Sequence, residues 1–315
     1  MTTPGIVARG VRRSFGDVHA VRDVTLEARE GAVTGLVGPN GSGKTTLMLM
    51  LASLLAPDAG DLRIGGVDPV AHPAAARALL GWMPDALGAW PALTSRETIA
   101  VTGELYGMTR TRARARAGEL LAELGLDALA DAPARVLSRG QKQKLGLARA
   151  LVHDPGILLL DEPASGLDPQ ARIDLRVLLR RFAAEGRTVL ISSHVLSELE
   201  EVIDEAVFLV AGQTVSSERV AAAASRMRTW RIRLVDRDAT AAVLPVAQAL
   251  GLDAGVLPTD RRDVLVGFSS DADAAHALAA LISAGLPVAE FSAATGMLEH
   301  TFLDLREGPA EGGAS

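Results

Sequence analysis

The segment that most restricts how this chain can fold is Gly38-Pro-Asn-Gly-Ser-Gly-Lys-Thr45, which matches the pattern G-x-x-x-x-G-K-[ST]. It follows an apolar stretch, residues 32–37, that is typical of a buried strand, and it precedes a run with helical periodicity that ends at Pro57. Glycines let the backbone N–H groups of such a loop curve around phosphates, and the next helix N-terminus adds partial positive charge. This order of strand, loop and helix predicts a phosphate-binding loop in an α/β sheet.

Within this loop, Lys44 is predicted to reach the β- and γ-phosphates of a nucleotide, and the Thr45 hydroxyl is predicted to bind Mg²⁺. A chance match in a chain with 31 glycines has odds on the order of one in a hundred or lower. All but three of the basic residues are arginines, so a lysine here indicates a site that needs a compact ammonium. The predicted nucleotide-binding residues of the loop are Gly38, Pro39, Asn40, Gly41, Ser42, Gly43, Lys44, Thr45 and Thr46.

A second feature is the apolar run Ile157-Leu-Leu-Leu160, which ends in Asp161 and Glu162. Taken alone, such an ending is equally compatible with a surface turn. An acidic residue at the end of a buried strand is costly unless it meets a cation. Downstream of a phosphate-binding loop, Asp161 is therefore predicted to support Mg²⁺ through water, and Glu162 to orient or deprotonate an attacking water.

A third feature, Leu137-Ser-Arg-Gly-Gln141, resembles the LSGGQ signature of ABC-type ATPases. The other motifs of that family follow in order: Ala164-Ser-Gly-Leu-Asp168 resembles the D-loop, and Ser193-His194 resembles the switch-histidine loop. Phe15 occupies the position of an aromatic residue that stacks on adenine in this family. The resemblance covers about residues 5–215.

The resemblance implies a P-loop NTPase fold with a β-subdomain, a helical subdomain at about residues 85–155, and ATP and Mg²⁺ as ligands. It implies that two such domains pair head to tail, either as two copies or with a related subunit, so that the signature of one acts on ATP bound to the other. By that analogy Glu162 and His194 are catalytic. The signature residues acting in trans are Ser138, Arg139, Gly140 and Gln141, and Asp168 belongs to the D-loop.

Two residues depart from the pattern of the family. Arg139 replaces the first of the paired glycines in the signature, where backbone N–H groups can still face phosphate if φ is negative. Asp85 stands where the family carries a glutamine. Its carboxylate can approach Mg²⁺ or a metal-bound water, so Asp85 is a further predicted metal contact, but it adds negative charge beside ATP and donates no hydrogen bond.

The ATP-binding domain is predicted to span residues 1–220. Residues 220–225 form a candidate junction or helix, and a smaller strand–helix pattern follows over residues 226–306. Its βαββαβ order, with one strand expected near residues 254–257, predicts a ferredoxin-like α+β domain. A role in pairing or regulating the ATPase copies is the hypothesis for this domain, because it follows the last motif strand and is similar to the tails of exporter ATPases. The polar tail, residues 307–315, is predicted to be disordered.

The net charge of −6 offers no general attraction to nucleic acid, and no run approaches the ~18 apolar residues of a membrane helix. The start of the chain lacks a secretory pattern. The chain is therefore expected in the cytoplasm, held at the inner face of the membrane by an integral-membrane permease subunit.

The final helix pattern and the segment around Asp85 are similar to ATPases of bacterial drug, antibiotic or polysaccharide exporters. Three alternatives stay open: an importer ATPase, a soluble ABC ATPase acting on ribosomes or DNA, and an inactive regulatory subunit. A single phosphate-binding loop and the absence of a long coiled-coil insertion argue against the second. The presence of Lys44, Asp161, Glu162 and His194 argues against the third.

Overall fold

The strands expected around the phosphate-binding loop belong to one sheet of nine strands. The computed structural model describes residues 4–85, 90–193, 195–224, 226–235 and 237–307, and the chain divides into two units between Val215 and Ser216. Strands of the first unit are β1 (Pro4–Phe15), β2 (Val18–Arg29), β3 (Val33–Val37), β4 (Ala59–Ile64), β5 (Leu80–Met83), β6 (Ile157–Asp161), β7 (Thr188–Ser193), β8 (Glu205–Val210) and β9 (Gln213–Thr214). Its helices are α1 (Lys44–Leu51), α2 (Pro73–Leu79), α3 (Ser95–Leu105), α4 (Arg110–Glu123), α5 (Arg139–Leu151), α6 (Pro169–Ala184) and α7 (Leu196–Glu200).

The strand order of this sheet is β4-β1-β2-β9-β8-β3-β7-β6-β5. The five strands β5, β6, β7, β3 and β8 pair in parallel, whereas β1 pairs antiparallel with β2 and β4. Every residue of β3, β6 and β7 is buried, as expected for central strands of a parallel sheet that is covered on both faces. The predicted P-loop α/β fold is confirmed.

The core of the first unit forms where α1 packs against the sheet. Leu47, Met50 and Leu51 of α1 are fully buried and contact a cluster that includes Leu36 of β3 and Leu159 of β6. The apolar face of α1 therefore packs against β3 and β6, the strands that lead to the phosphate-binding loop and to the two acidic residues.

The predicted helical region contains α3, α4 and α5, which contact one another. Two of these helices begin with a capping box: Thr94 pairs with Glu97, and Ser138 pairs with Gln141. No helix in the described parts of the chain is long and apolar enough to cross a membrane.

The second unit contains α8 (Ser217–Ala224), β10 (Arg228–Leu234), α9 (Ala239–Leu250), β11 (Thr259–Asp260), β12 (Asp263–Phe268), α10 (Asp271–Ser283), β13 (Val288–Ala293) and α11 (Met297–Glu307). Its sheet has the order β11-β12-β10-β13 with every pair antiparallel, which is the ferredoxin-like arrangement that the sequence predicts. Ile232, Val246, Val264 and Leu281 lie in its separate core.

Two details differ from the sequence-based expectations, and one alternative that the sequence leaves open is decided. Residues 254–256 form a 3₁₀ turn instead of a strand, because Asp253 Oδ1 accepts a hydrogen bond from Gly255 N–H and bends the backbone. Residues 220–224, which the sequence predicts to be a junction or a helix, belong to α8, which contacts α11 of the same unit. Glu307 ends α11, and the rest of the predicted disordered tail, residues 308–315, lies outside the described residues.

Candidate functional site

The predicted motifs meet because they follow strands that run in parallel. Val37 of β3 pairs with Ser193 of β7, and Asp161 of β6 pairs with Ser192 of the same strand. Parallel strands present their carboxyl ends at one edge of the sheet, where ligands of α/β folds bind. The phosphate-binding loop after β3 and the acidic residues Asp161 and Glu162 at the end of β6 therefore lie at the same edge.

Glycines shape the phosphate-binding loop. Gly41 and Gly43 have φ of 79° and 99°, which favour glycine. A Cβ atom placed on Gly43 would lie 2.4 Å from the carbonyl oxygen of Ala20, so a larger residue does not fit. Gly43 is the N-cap of α1 and supplies no side-chain cap, and the first turn of the helix has no acidic residue, which leaves this N-terminus suited to an anion.

Lys44 is 7% exposed, and its Nζ donates hydrogen bonds to the carbonyl oxygens of Gly38 at 2.7 Å and Pro39 at 3.1 Å. Burial lowers the pKa of Lys44 below its ordinary value, while the charges of Glu162 and Asp161 act in the opposite direction. The ammonium thus lies against the loop and faces two acidic residues, a position from which it can meet a phosphate.

Asp161 is 2% exposed and is held by hydroxyl groups. Ser192 Oγ donates to Asp161 Oδ1 at 2.5 Å, and Thr45 Oγ1 donates to Asp161 Oδ2 at 3.2 Å. A threonine hydroxyl and a carboxylate at this separation are the oxygen ligands that Mg²⁺ takes beside nucleotide phosphates, so these residues fit the metal. The sequence does not single out Ser192, because the pairing register of β6 and β7 brings it to Asp161.

Glu162 adopts a left-handed backbone conformation with φ of 53°, which is uncommon for residues other than glycine. Its N–H lies 3.1 Å from the Ser192 carbonyl oxygen and 3.2 Å from Ser192 Oγ, so the turn is fixed to β7. A strained backbone held by its surroundings is typical of functional positions.

A cavity of about 560 Å³ joins these groups. Asp85, which is exposed, lies in its wall with the phosphate-binding loop and the two acidic residues. The residues that line it are Val18, His19, Ala20, Asn40, Gly41, Gly43, Lys44, Thr45, Thr46, Asp85, Arg139, Asp161, Glu162 and Ser165.

Several predicted site residues lie outside this wall. Phe15 is 48% exposed, pairs across the β1–β2 turn with Val18, and stacks with the Arg13 guanidinium 4.9 Å from its ring centre. Gly38, Pro39 and Ser42 belong to the loop but do not line the cavity. His194 lies outside the described residues.

One residue of the signature and one of the D-loop cap the N-termini of helices: Ser138 caps α5, and Asp168 caps α6. Ser138 Oγ accepts a hydrogen bond from Gln141 N–H at 3.2 Å, and Gln141 Oε1 accepts one from Ser138 N–H at 2.9 Å, which fixes the start of α5. Asp168 Oδ1 accepts a hydrogen bond from Ala171 N–H at 2.8 Å and caps α6. Neither Ser138 nor Asp168 lines the cavity of its own chain, whereas Arg139 does.

Known proteins are similar to this chain in sequence. The family model of the ABC transporter matches residues 21–165. The daunorubicin resistance ATP-binding protein DrrA3 of Streptomyces coeruleorubidus is 31% identical over 306 residues, which cover 97% of this chain and 96% of that protein. The Nod factor export ATP-binding protein I of Ralstonia nicotianae is 38% identical over 204 residues, and the chain spans 64% of its length.

Solved structures are similar as well. An ATP-binding subunit of an ABC transporter superposes with a TM-score of 0.63 and 26% identity over 70% of this chain and 92% of that one. The dimeric structure of a bacterial ABC transporter cassette gives a TM-score of 0.62 and 25% identity over 67% of this chain and 97% of that one.

Proposed function

This chain belongs to the ABC transporter family of ATP-binding proteins, and from that premise we propose that it hydrolyses ATP to power export through a separate membrane subunit. The observation that carries the proposal is the meeting of Lys44, Thr45, Asp161 and Glu162 around one cavity at the carboxyl edge of a parallel sheet. These groups supply a phosphate contact, two metal ligands and a candidate base.

In this proposal each residue has a separate role. Lys44 binds the β- and γ-phosphates, and Thr45 and Asp161 hold Mg²⁺, which neutralises phosphate charge when bound. Ser192 keeps the Asp161 carboxylate oriented through its 2.5 Å hydrogen bond. Asp85, in the wall of the same cavity, approaches the metal or its water.

Glu162 is the proposed base that orients or deprotonates the attacking water. The backbone N–H of Glu162 is hydrogen-bonded to Ser192, so the turn that carries this carboxylate is fixed to β7. His194 is proposed to assist at the same water, and Phe15 to stack on adenine at the edge of the site.

A complete site is proposed to need two ATPase chains. Ser138, Gly140 and Gln141 lie at the N-terminus of α5, an end of a helix that favours anions. We propose that they act on ATP bound to a second copy or a related subunit, with Asp168 close to the shared interface. The similarity to a dimeric cassette supports this arrangement.

The proposed partner is an integral-membrane permease subunit, and the proposed location is the cytoplasmic face of the cell membrane. The names of the relatives, Nod factor export and daunorubicin resistance, favour export over import. The similarity to DrrA3 extends over 97% of the chain and therefore includes the second unit. A drug, antibiotic or polysaccharide cargo is proposed on the same basis.

Two variants test the proposal, one by its effect on the rate of hydrolysis and the other by its effect on ATP binding. Glu162→Gln removes the carboxylate and should slow hydrolysis by roughly 10²–10⁴-fold while ATP still binds. Lys44→Ala removes a buried charged contact and should weaken ATP binding by about 10- to 100-fold. Calorimetry and steady-state ATPase assays separate the two effects. Hydrolysis at the normal rate in Glu162→Gln would show that another group acts as the base.

A further inference from the structure

The arginine that departs from the family signature contacts the D-loop of its own chain. Arg139 Nη2 donates a hydrogen bond to Ser165 Oγ at 2.5 Å. Ser165 lies three residues after Glu162, and both Arg139 and Ser165 line the cavity that contains Lys44. The first residue of α5 is therefore bonded directly to the loop that follows the candidate base.

The aliphatic part of Arg139 also packs on this loop. Gly166 has φ of 76°, and a Cβ atom placed on it would lie 2.5 Å from Arg139 Cδ and 2.7 Å from Arg139 Cγ. At Gly140, a Cβ atom would lie 3.3 Å from the carbonyl oxygen of Gly166. The side chain of Arg139 thus occupies space that only a glycine at position 166 leaves open.

The loop transmits this contact towards Glu162. Ser165 N–H donates to the carbonyl oxygen of Glu162 at 3.0 Å, and Leu167 N–H donates to that of Ala164 at 3.1 Å. Because the turn is closed by these two hydrogen bonds, a force on Ser165 acts on the backbone of Glu162. A glycine at position 139 has no side chain with which to make such a contact.

We propose that Arg139 is a positioning residue that fixes the D-loop in cis, so that the start of α5 and the Glu162 turn move together. Its effect on hydrolysis rests on the proposed function, whereas the link itself does not. When Ser138 meets ATP on a second chain, the displacement of α5 reaches the chain's own Glu162 through Arg139 and Ser165.

The test compares Arg139→Gly, Arg139→Lys, Ser165→Ala and the double variant Arg139→Gly/Ser165→Ala in the full chain. Hydrogen exchange of the Ser165 and Leu167 amides, measured without nucleotide, reports on the link. Exchange should increase by about 3- to 10-fold in Arg139→Gly and in Ser165→Ala, the range expected for loss of one hydrogen bond. The double variant should exchange no faster than either single variant, because both remove the same contact.

Kinetics supply the second measurement. The kcat for ATP hydrolysis should fall by about 3- to 10-fold in Arg139→Gly with the ATP Kd unchanged, and Arg139→Lys should recover part of the loss because its stem and one donor remain. Arg135→Gly, at an exposed arginine four residues earlier, is the matched control and should change neither quantity. Unchanged exchange in both single variants, or additive effects in the double variant, would overturn the proposal. If even the unaltered protein fails to hydrolyse ATP, the proposed function fails while the exchange data still decide the link.

Discussion

Among the residues that the structure describes, each unit buries one aspartate almost completely, and the two aspartates are stabilised in different ways. Asp161 of the first unit is 2% exposed and receives hydrogen bonds from the hydroxyls of Ser192 and Thr45. Asp263 of the second unit is 3% exposed and pairs with the guanidinium groups of Arg231 at 3.0 Å and Arg233 at 2.7 Å.

The difference separates a binding site from a structural ion pair. A buried carboxylate is stable only with a countercharge or strong hydrogen bonds. Asp263 finds its countercharge on the neighbouring strand, so its charge is used within the fold. Asp161 accepts hydrogen bonds from neutral hydroxyls, and the Lys44 ammonium that lies near it can meet a phosphate, which leaves the Asp161 carboxylate available to a cation beside a nucleotide. Burial of an acid alone therefore does not identify a site; the partners do.

Removing the second unit is expected to give the largest effect and tests whether the two units are independent. Truncation after Val215 should leave ATP affinity within about twofold, because every residue proposed to contact nucleotide precedes it. If the second unit pairs ATPase chains, the truncated protein should need about tenfold more protein for half-maximal specific activity. Calorimetry and activity at several protein concentrations check this. Loss of ATP binding would show that the first unit depends on the second. An unchanged dependence of activity on protein concentration would exclude a role of the second unit in pairing.

The variant Asp263→Asn tests whether the buried ion pair of Asp263 stabilises the second unit. It leaves Arg231 and Arg233 without their shared carboxylate, and the thermal midpoint of the second unit should fall by about 4–8 °C. Asp260→Asn, at an exposed aspartate that faces Asp263 across β11 and β12, is the control and should have little effect. Calorimetric unfolding measures both. ATP affinity should stay the same in each variant, and a loss of affinity in Asp263→Asn would contradict the assigned structural role.

A smaller effect is expected at Asp85, in the wall of the cavity that is proposed to bind ATP. If Asp85 contacts Mg²⁺ through water, Asp85→Ala should raise the Mg²⁺ concentration for half-maximal ATPase by about threefold. Asp85→Gln restores the residue of the family and should recover most of that loss. Identical Mg²⁺ dependence in all three proteins would make Asp85 a loop residue without metal contact.

The smallest expected effect is on the pH dependence of the stability of the first unit. The His153 ring stacks on Tyr106 at 3.7 Å, its Nε2 lies 3.1 Å from the carbonyl oxygen of Leu80, and burial lowers the pKa of His153 below its ordinary 6.5. The unfolded chain therefore binds the proton first, so this contribution to stability is lost as pH falls below 6.5. Between pH 7.5 and 5.5 the midpoint of His153→Gln should fall about 1–3 °C less than that of the unaltered protein. Equal shifts would remove His153 as the cause.

Much of the candidate site was predictable because its signals are local. The phosphate-binding loop, the apolar strand before Asp161 and the signature are each contained in a few consecutive residues, with spacing set by one turn or one strand. The ferredoxin-like order of the second unit follows from the periodicity of its segments. Residues 254–257 were predicted wrongly because a single side-chain hydrogen bond from Gly255 to Asp253 outweighs the apolar character of that segment.

Sequence alone thus determined the fold class, the family and the residues proposed to touch ATP, since these depend on short motifs and on hydrophobic periodicity. Only the tertiary structure decided which other side chains contact these residues and keep them in position. Ser192 reaches Asp161 because two strands pair in a particular register, and Arg139 reaches Ser165 because α5 begins beside the D-loop. These contacts join residues about 30 positions apart, and their geometry arises from packing that no local pattern encodes.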